Sequence, residues 1–149
     1  MSGGMAAGSE PLWEGLYEEV VLRHHRQPCG EGRIASTTHE AAADNPLCGD
    51  EVEVFLEVAE GVVRRAGFEA RACALCRASA SMLCGWLTGR TVDEARAGLD
   101  EFVAAAASDR GLDEGRWGEV AALGAVRKFP ARVRCVLLPW QAAEKAFDL

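Results

Sequence analysis

The sequence predicts an α+β fold, in which a block of strands is followed by helices that cover one face of a sheet. Apolar and mostly acidic residues alternate over residues 51–58, which is typical of a strand with one buried face. After a Glu60-Gly61 turn, residues 66–72 alternate in the same way, so the two segments predict an antiparallel hairpin. From about residue 74 the apolar residues recur at helical spacing instead.

The remaining elements are predicted by apolar periodicity, caps and breaks. Residues 11–26 carry apolar side chains at helical spacing and end before proline and glycine, which predicts a helix. Residues 33–43 predict a weak strand. Thr91 and Glu94 have the spacing of a capping box and predict the start of another helix. Further helices are predicted over residues 74–87, 116–123 and 130–147.

Pro139 interrupts the last of these predicted helices. It lies four residues after Cys135, so it cannot donate an N–H to the Cys135 carbonyl, and its ring clashes with that carbonyl. A proline in a helix interior costs about 3 kcal/mol. The sequence therefore leaves two alternatives, in which the helix either kinks just after Cys135 or begins near Leu138.

Length, composition and charge limit the classes of protein to consider. The chain has 149 residues, of which 49% are hydrophobic and 26% charged, and this predicts a single domain over residues 11–149 after a disordered start at residues 1–10. A net charge of −7 argues against nucleic acid as a partner. We find no apolar stretch long enough for a membrane and no secretory signal, so we expect a cytoplasmic protein.

Three of the six cysteines lie where predicted elements end. Cys48 lies in a turn, Cys73 at a junction of strand and helix, and Cys135 near the start of the last helix. Asp50 lies two residues after Cys48, so its carboxylate can reach whatever the Cys48 sulfur binds. Such a set suits a tetrahedral zinc ion. Spacing alone fits three buried, inert cysteines as well, because the chain has no paired CxxC…CxxC motif.

The motifs around these cysteines resemble a known family. It is the U-type iron–sulfur assembly proteins, the IscU/SufU/NifU N-terminal family, and the similarity spans about residues 12–147. Within the family the chain is similar to the SufU branch, since residues 97–125 form a longer segment than IscU-like proteins need and Arg134 stands where they carry histidine. The motifs that carry the resemblance are Asn45-Pro46-Leu47-Cys48-Gly49-Asp50, Cys73 with Ala78-Ser79-Ala80-Ser81-Met82, and Lys128-Phe129-Pro130-Ala131-Arg132-x-x-Cys135.

The resemblance implies a fold, a metal site and a function. The implied fold is a three-stranded antiparallel sheet with helices packed on one face, and the implied zinc ligands are Cys48, Asp50, Cys73 and Cys135. A SufU-like protein accepts persulfide sulfur from a SufS-like cysteine desulfurase and serves downstream iron–sulfur assembly proteins, so it acts with the desulfurase rather than as a stand-alone enzyme. The alternatives are an IscU-like scaffold that assembles a 2Fe–2S cluster on the same ligands, and a structural zinc module that only binds partners.

Four residues are given particular roles on this interpretation. Cys48 is the predicted persulfide acceptor, because a turn is the setting most able to swing outward. Three thiolates and a carboxylate carry more negative charge than zinc neutralises, and Arg132 and Arg134 are the nearest cations in sequence. Arg132 is also the candidate for docking the desulfurase. Cys76 is either a spare thiol beside the metal or a small core residue.

Overall fold

The computed structural model describes residues 9–106, 108 and 111–148, with side chains from residue 18 onward. The predicted disordered start falls mostly outside these residues, and the first helix begins at Ser9. Among the described helices, none is both long and apolar enough to span a membrane. The elements in chain order are α1 (Ser9–Arg26), β1 (His39–Asn45), β2 (Asp50–Ala59), β3 (Val62–Arg71), α2 (Ala74–Leu87), α3 (Val92–Ala106), α4 (Glu114–Trp117), a 3-10 segment (Gly118–Lys128) and α5 (Pro130–Asp148).

The three strands form one antiparallel sheet in the order β1-β2-β3. Glu60 and Gly61 join β2 to β3 with φ angles of 55° and 75°. Two consecutive positive φ angles make a turn whose twist matches that of the flanking strands. Val54 and Phe68 face each other on the side of the sheet that is buried under the helices. The predicted α+β fold, with a three-stranded antiparallel sheet and helices on one face, is confirmed.

The predicted strand over residues 33–43 is wrong in its first half, because β1 begins only at His39. The preceding residues cross the outer face of the sheet instead. There Phe55 is fully buried, and the Arg33 guanidinium lies 4.4 Å from the centre of its ring. Sequence alternation alone would leave Phe55 exposed on that face.

Gly67 explains why the chain can cross so close to the outer face. A Cβ at this position would lie 2.6 Å from the carbonyl oxygen of Gly32, which is too close for any side chain. The backbone next to it is held by hydrogen bonds from Gly32 N to Phe68 O (2.7 Å) and from Phe68 N to Gly30 O (2.9 Å). These contacts join residues far apart in sequence, so local patterns cannot predict them.

Helix α5 runs from Pro130 to Asp148 through Pro139, so it is not interrupted there and does not begin near Leu138. Packing against α2 accounts for this. The Ser79 hydroxyl donates to the Val136 carbonyl at 2.7 Å and accepts from the Trp140 indole N–H at 3.0 Å. Both bonds are buried, and they hold α5 to α2 on either side of the proline.

The short helix predicted over residues 116–123 is wrong in its bounds and winding. Helix α4 begins at Glu114, where the Asp113 carboxylate accepts from Arg116 N at 3.0 Å, and the chain continues as the 3-10 segment. Gly118, with a φ of 62°, ends the α-helical winding. The capping box that begins α3 is confirmed, since Thr91 and Glu94 exchange side-chain-to-backbone hydrogen bonds of 3.0 and 3.1 Å.

A pair of carboxyl groups gives the fold a predicted pH dependence. Burial, a hydrogen bond to Asp100 and the charges of Asp100 and Asp148 raise the pKa of Glu144 to about 7. A carboxyl group whose pKa is raised in the folded state contributes to stability when the pH is below its ordinary pKa. That contribution is lost as the pH rises through about 7. Because the pair is partly solvated, we expect about 1 kcal/mol less stability at about pH 8 than at about pH 5 from this source.

Glu144→Gln should remove this contribution. Urea unfolding at the two pH values is expected to show a smaller loss of unfolding free energy in the variant than in the wild type, and Asp100→Asn should behave in the same way. An unchanged pH dependence in both variants would show that the two carboxyls do not share a proton.

Candidate metal centre

The turn that carries Cys48 is built by Asn45. The Asn45 carbonyl accepts from Cys48 N at 3.3 Å and from Gly49 N at 2.8 Å, and its side-chain oxygen accepts from Leu47 N at 3.1 Å. Asn45 is buried, whereas Cys48 is exposed. Asn45 was missed as a site residue in the sequence, although an asparagine before proline is a recognised turn signal. The turn is therefore held by the hydrogen bonds of Asn45, while Cys48 is exposed to solvent.

Asp50 is the buried carboxylate of the site. It is the first residue of β2, it is 6% exposed, and its Oδ1 accepts from Cys73 N at 3.2 Å. Its other oxygen, Oδ2, is buried and has no hydrogen-bond partner within the described part of the chain. Leaving a buried acceptor unpaired costs about 1–3 kcal/mol, and more when the group is charged. An orphaned carboxylate oxygen beside thiols fits a metal ligand.

Cys73 lies between β3 and α2, where the sequence predicts it. It is the N-cap residue of α2, and its sulfur accepts from Cys76 N at 3.4 Å. Its backbone N–H donates to the Asp50 carboxylate. Cys73 is therefore held by α2 and by the first residue of β2.

Cys135 lies in the second turn of α5 and is buried. One ligand atom each from Cys48, Asp50 and Cys135 lie within 4.8 Å of one another. Cys73 is not in this tight group but adjoins it through the hydrogen bond from its backbone N–H to Asp50. The structure thus gathers the four predicted residues at one end of the molecule, with three of them close enough to share an ion.

The electrostatics of this cluster favour a cation. Burial is the largest cause that raises the pKa of the Cys135 thiol, and the negative charges of Cys73, Asp50 and Cys48 and the hydrogen bond with Cys73 raise it further, to about 12. Each acidic group makes ionisation of the next more costly. A divalent cation reverses this cost, because it stabilises every thiolate and carboxylate around it. The residues present therefore fit a zinc ion.

The two arginines expected to offset the site's charge are both exposed. Arg132 lies in the first turn of α5, where its backbone N–H donates to Phe129 O at 2.7 Å. Within the described residues, neither guanidinium makes a hydrogen bond or an ion pair, so neither is bonded to a residue of the cluster. Two large apolar side chains near the proposed ligands are also exposed. Leu47, in the turn that carries Cys48, is 79% exposed, and Phe129, directly before α5, is 45% exposed. Both residues stand within the motifs that carry the family resemblance.

The other cysteines and His24 lie outside the tight cluster. His24 bonds to Ser81 Oγ at 2.7 Å and to Glu119 Oε1 at 2.6 Å, so it joins α1 to α2 and the 3-10 segment. Cys84 is fully buried in α2, and Cys29 is exposed.

Comparison with known proteins assigns the family. The family described as NifU-like N terminal domain matches residues 16–136. The chain belongs to this family. The resemblance seen in the sequence motifs is thereby confirmed over most of the domain.

Two relatives and one solved structure extend this assignment. The chain is 32% identical over 131 residues to a protein of Thermotoga maritima named iron-sulfur cluster assembly scaffold protein IscU, covering 88% of this chain and 92% of the relative. It is 31% identical over 130 residues to the zinc-dependent sulfurtransferase SufU of Bacillus subtilis, covering 87% and 88%. The N-terminal part of a nitrogen-fixing NifU-like protein from Brucella abortus matches with a TM-score of 0.78 and 30% identity, covering 89% and 92%.

Proposed function

We propose that this protein is a zinc-dependent sulfur carrier in iron–sulfur cluster assembly, which accepts persulfide sulfur from a SufS-like cysteine desulfurase. The observation that carries the proposal is the buried Asp50 carboxylate, which offers a ligand atom in one cluster with the exposed Cys48 and the buried Cys135 and has one oxygen without a hydrogen-bond partner among the described residues. The relationship to a zinc-dependent sulfurtransferase supports it. We place the activity in the cytoplasm, where reducing conditions keep thiols free.

The proposed zinc ligands are Cys48, Asp50, Cys73 and Cys135. Zinc would keep the thiols deprotonated and protected from oxidation. Asp50 orients Cys73 by accepting its backbone N–H. A carboxylate is a harder and weaker zinc ligand than a thiolate, so this donor set binds the ion while allowing one donor to exchange.

Cys48 is the proposed acceptor because it is the exposed thiol of the set, on a turn. Its thiolate attacks the outer sulfur of the desulfurase persulfide, a new S–S bond forms on Cys48, and the old S–S bond breaks to release the desulfurase cysteine as a thiolate. Cys73 and Cys135 are each fixed by a helix, so they remain in place during this step. The sulfur then passes to downstream iron–sulfur assembly proteins.

The second candidate is a scaffold that assembles a 2Fe–2S cluster on the same donors, which the relationship to the Thermotoga maritima IscU favours. Arg134 in place of the histidine of IscU-like proteins, and the long segment over residues 97–125, favour the carrier. Asp50 argues against a purely structural zinc module, because structural sites more often consist of cysteine and histidine alone.

Metal content and visible absorption distinguish the two candidates. Protein purified without oxygen should contain about one zinc per chain and show no visible bands. Iron in place of zinc, accompanied by sulfide-to-iron charge-transfer bands, would support the scaffold and overturn the carrier.

Arg132 is the proposed docking residue for the desulfurase, since its exposed guanidinium lies on the segment that leads to Cys135. Arg132→Ala should raise the carrier concentration that gives half-maximal stimulation of the desulfurase by about fivefold, equivalent to about 1 kcal/mol. The zinc affinity should change less. The measurements are desulfurase stimulation as a function of carrier concentration and zinc affinity by chelator competition. Arg64→Ala, at the opposite end of the sheet, is the control. A larger effect on zinc than on stimulation would make Arg132 a support of the metal instead.

A further inference from the structure

Helix α2 begins with two thiols rather than one. Cys73 and Cys76 are three residues apart, so they share one face of the helix. The same spacing occurs where two cysteines of one turn bind a single zinc ion. Cys76 is 0% exposed, and its N–H donates to the Cys73 sulfur at 3.4 Å. Of these two cysteines, the family resemblance implies a metal role for Cys73 only.

Cys76 is in contact with one of the proposed ligands, because its backbone N–H donates to the Cys73 sulfur. Besides burial, which is the largest cause, the negative charges of Asp50, Cys73, Cys135 and Cys48 all raise the pKa of its thiol. Cys84 is the matched comparison, because it is also a fully buried cysteine of α2. Apart from burial, only Cys29 raises the pKa of Cys84. Of the two buried cysteines of α2, Cys76 is the one whose backbone contacts a proposed ligand.

The site therefore offers more donors than a tetrahedral ion uses. Cys48, Asp50 and Cys135 form the tight group, and α2 adds Cys73 and Cys76. Zinc in such sites takes four ligands. One donor is thus in excess, and the buried Oδ2 of Asp50, which has no partner in the described part of the chain, fits a bound cation.

We propose that Cys76 is a reserve zinc ligand, which replaces Cys48 while Cys48 carries the transferred sulfur. This inference rests on the proposed function. The ion would then be held by Asp50, Cys73, Cys76 and Cys135 and would stay four-coordinate. Cys76 binds as a thiolate, and its proton passes to the desulfurase thiolate that the sulfur transfer releases, so charge and protons balance. A buried thiol one helical turn from a ligand needs little movement for this exchange.

Zinc retention without Cys48 tests the inference. Cys48→Ala is expected to keep about one zinc per chain, with affinity reduced by about tenfold or less in chelator competition. Cys48→Ala/Cys76→Ala should lose affinity by about a further hundredfold, because only three donors remain. Cys48→Ala/Cys84→Ala, which removes the other buried thiol of α2, should match Cys48→Ala.

Cobalt substitution gives a readout that core packing does not change. Thiolate-to-cobalt charge-transfer absorption reports the number of bound thiolates. It should be unchanged in Cys48→Ala and fall by about one third in Cys48→Ala/Cys76→Ala, since three thiolates become two. Loss of zinc in Cys48→Ala alone, or equal retention with and without Cys76, would overturn the reserve-ligand inference while a zinc-bound wild type leaves the carrier intact. A wild type that binds no zinc would overturn both.

Discussion

Replacing both Cys73 and Cys76 with alanine is expected to abolish stoichiometric zinc binding and the stability that zinc provides. The double variant leaves only Cys48, Asp50 and Cys135 as donors, one fewer than a tetrahedral ion requires. In the wild type, zinc at about a thousand times its dissociation constant adds about 4 kcal/mol to the unfolding free energy. Metal analysis and urea unfolding, each with zinc and with a chelator, measure the two effects.

The informative quantity is the difference between zinc-loaded and chelator-treated protein. It should vanish in the double variant and persist in Cys84→Ala, which removes a buried thiol of the same helix outside the site. This comparison separates loss of the ion from loss of core packing. A double variant that keeps a full zinc-dependent difference would show that α2 provides no ligand.

Trp140→Ala is expected to be the most destabilising single substitution, at about 3–5 kcal/mol. The Trp140 ring is fully buried and stacks on Phe102 with ring centres 3.7 Å apart. Trp86 and Trp117 also pack against it, so it joins α2, α3, α4 and α5. Removing it leaves a large cavity and takes away the N–H group that donates to the Ser79 hydroxyl. Urea unfolding of the chelator-treated protein measures the cost.

Trp140→Phe distinguishes the contribution of the aromatic ring from that of the indole N–H group. It retains an aromatic ring against Phe102 but loses the indole N–H that donates to Ser79, so we expect a cost of about 1–2 kcal/mol. Because Ser79 also bonds to Val136, next to Cys135, both variants should weaken zinc binding. Equal stability of the alanine variant and the wild type would contradict the role given to this cluster.

Local patterns predict the parts of the fold that local contacts determine. The hairpin of β2 and β3 follows from alternating side chains and a two-residue turn, and the start of α3 follows from the reciprocal bonds of Thr91 and Glu94. The first half of the predicted strand at residues 33–43 fails because the chain instead covers Phe55, and that path depends on the absence of a side chain at Gly67. The contact is non-local, so no window of sequence contains it.

The same distinction holds for the candidate site. Sequence places Cys48, Cys73 and Cys135 at the ends of elements, and the family motifs select them together with Asp50. Two features depend on tertiary structure alone. They are the Asp50 Oδ2, which has no hydrogen-bond partner among the described residues, and the complete burial of Cys76, because each depends on how β2, α2 and α5 pack. Pro139 is a further case. The local sequence predicts an interruption of α5 there, but hydrogen bonds of Ser79 to Val136 and Trp140 hold the helix to α2 on both sides of the proline.

Mapping the transferred sulfur is the most direct test of the sulfur-carrier proposal. The zinc-loaded protein is incubated with its cysteine desulfurase and cysteine, trapped with an alkylating reagent, digested and analysed by mass spectrometry. The account predicts one additional sulfur on the Cys48 peptide, and none on that peptide when cysteine is omitted. An additional sulfur mainly on the peptides of Cys76 or Cys135 would contradict the mechanism proposed for this protein.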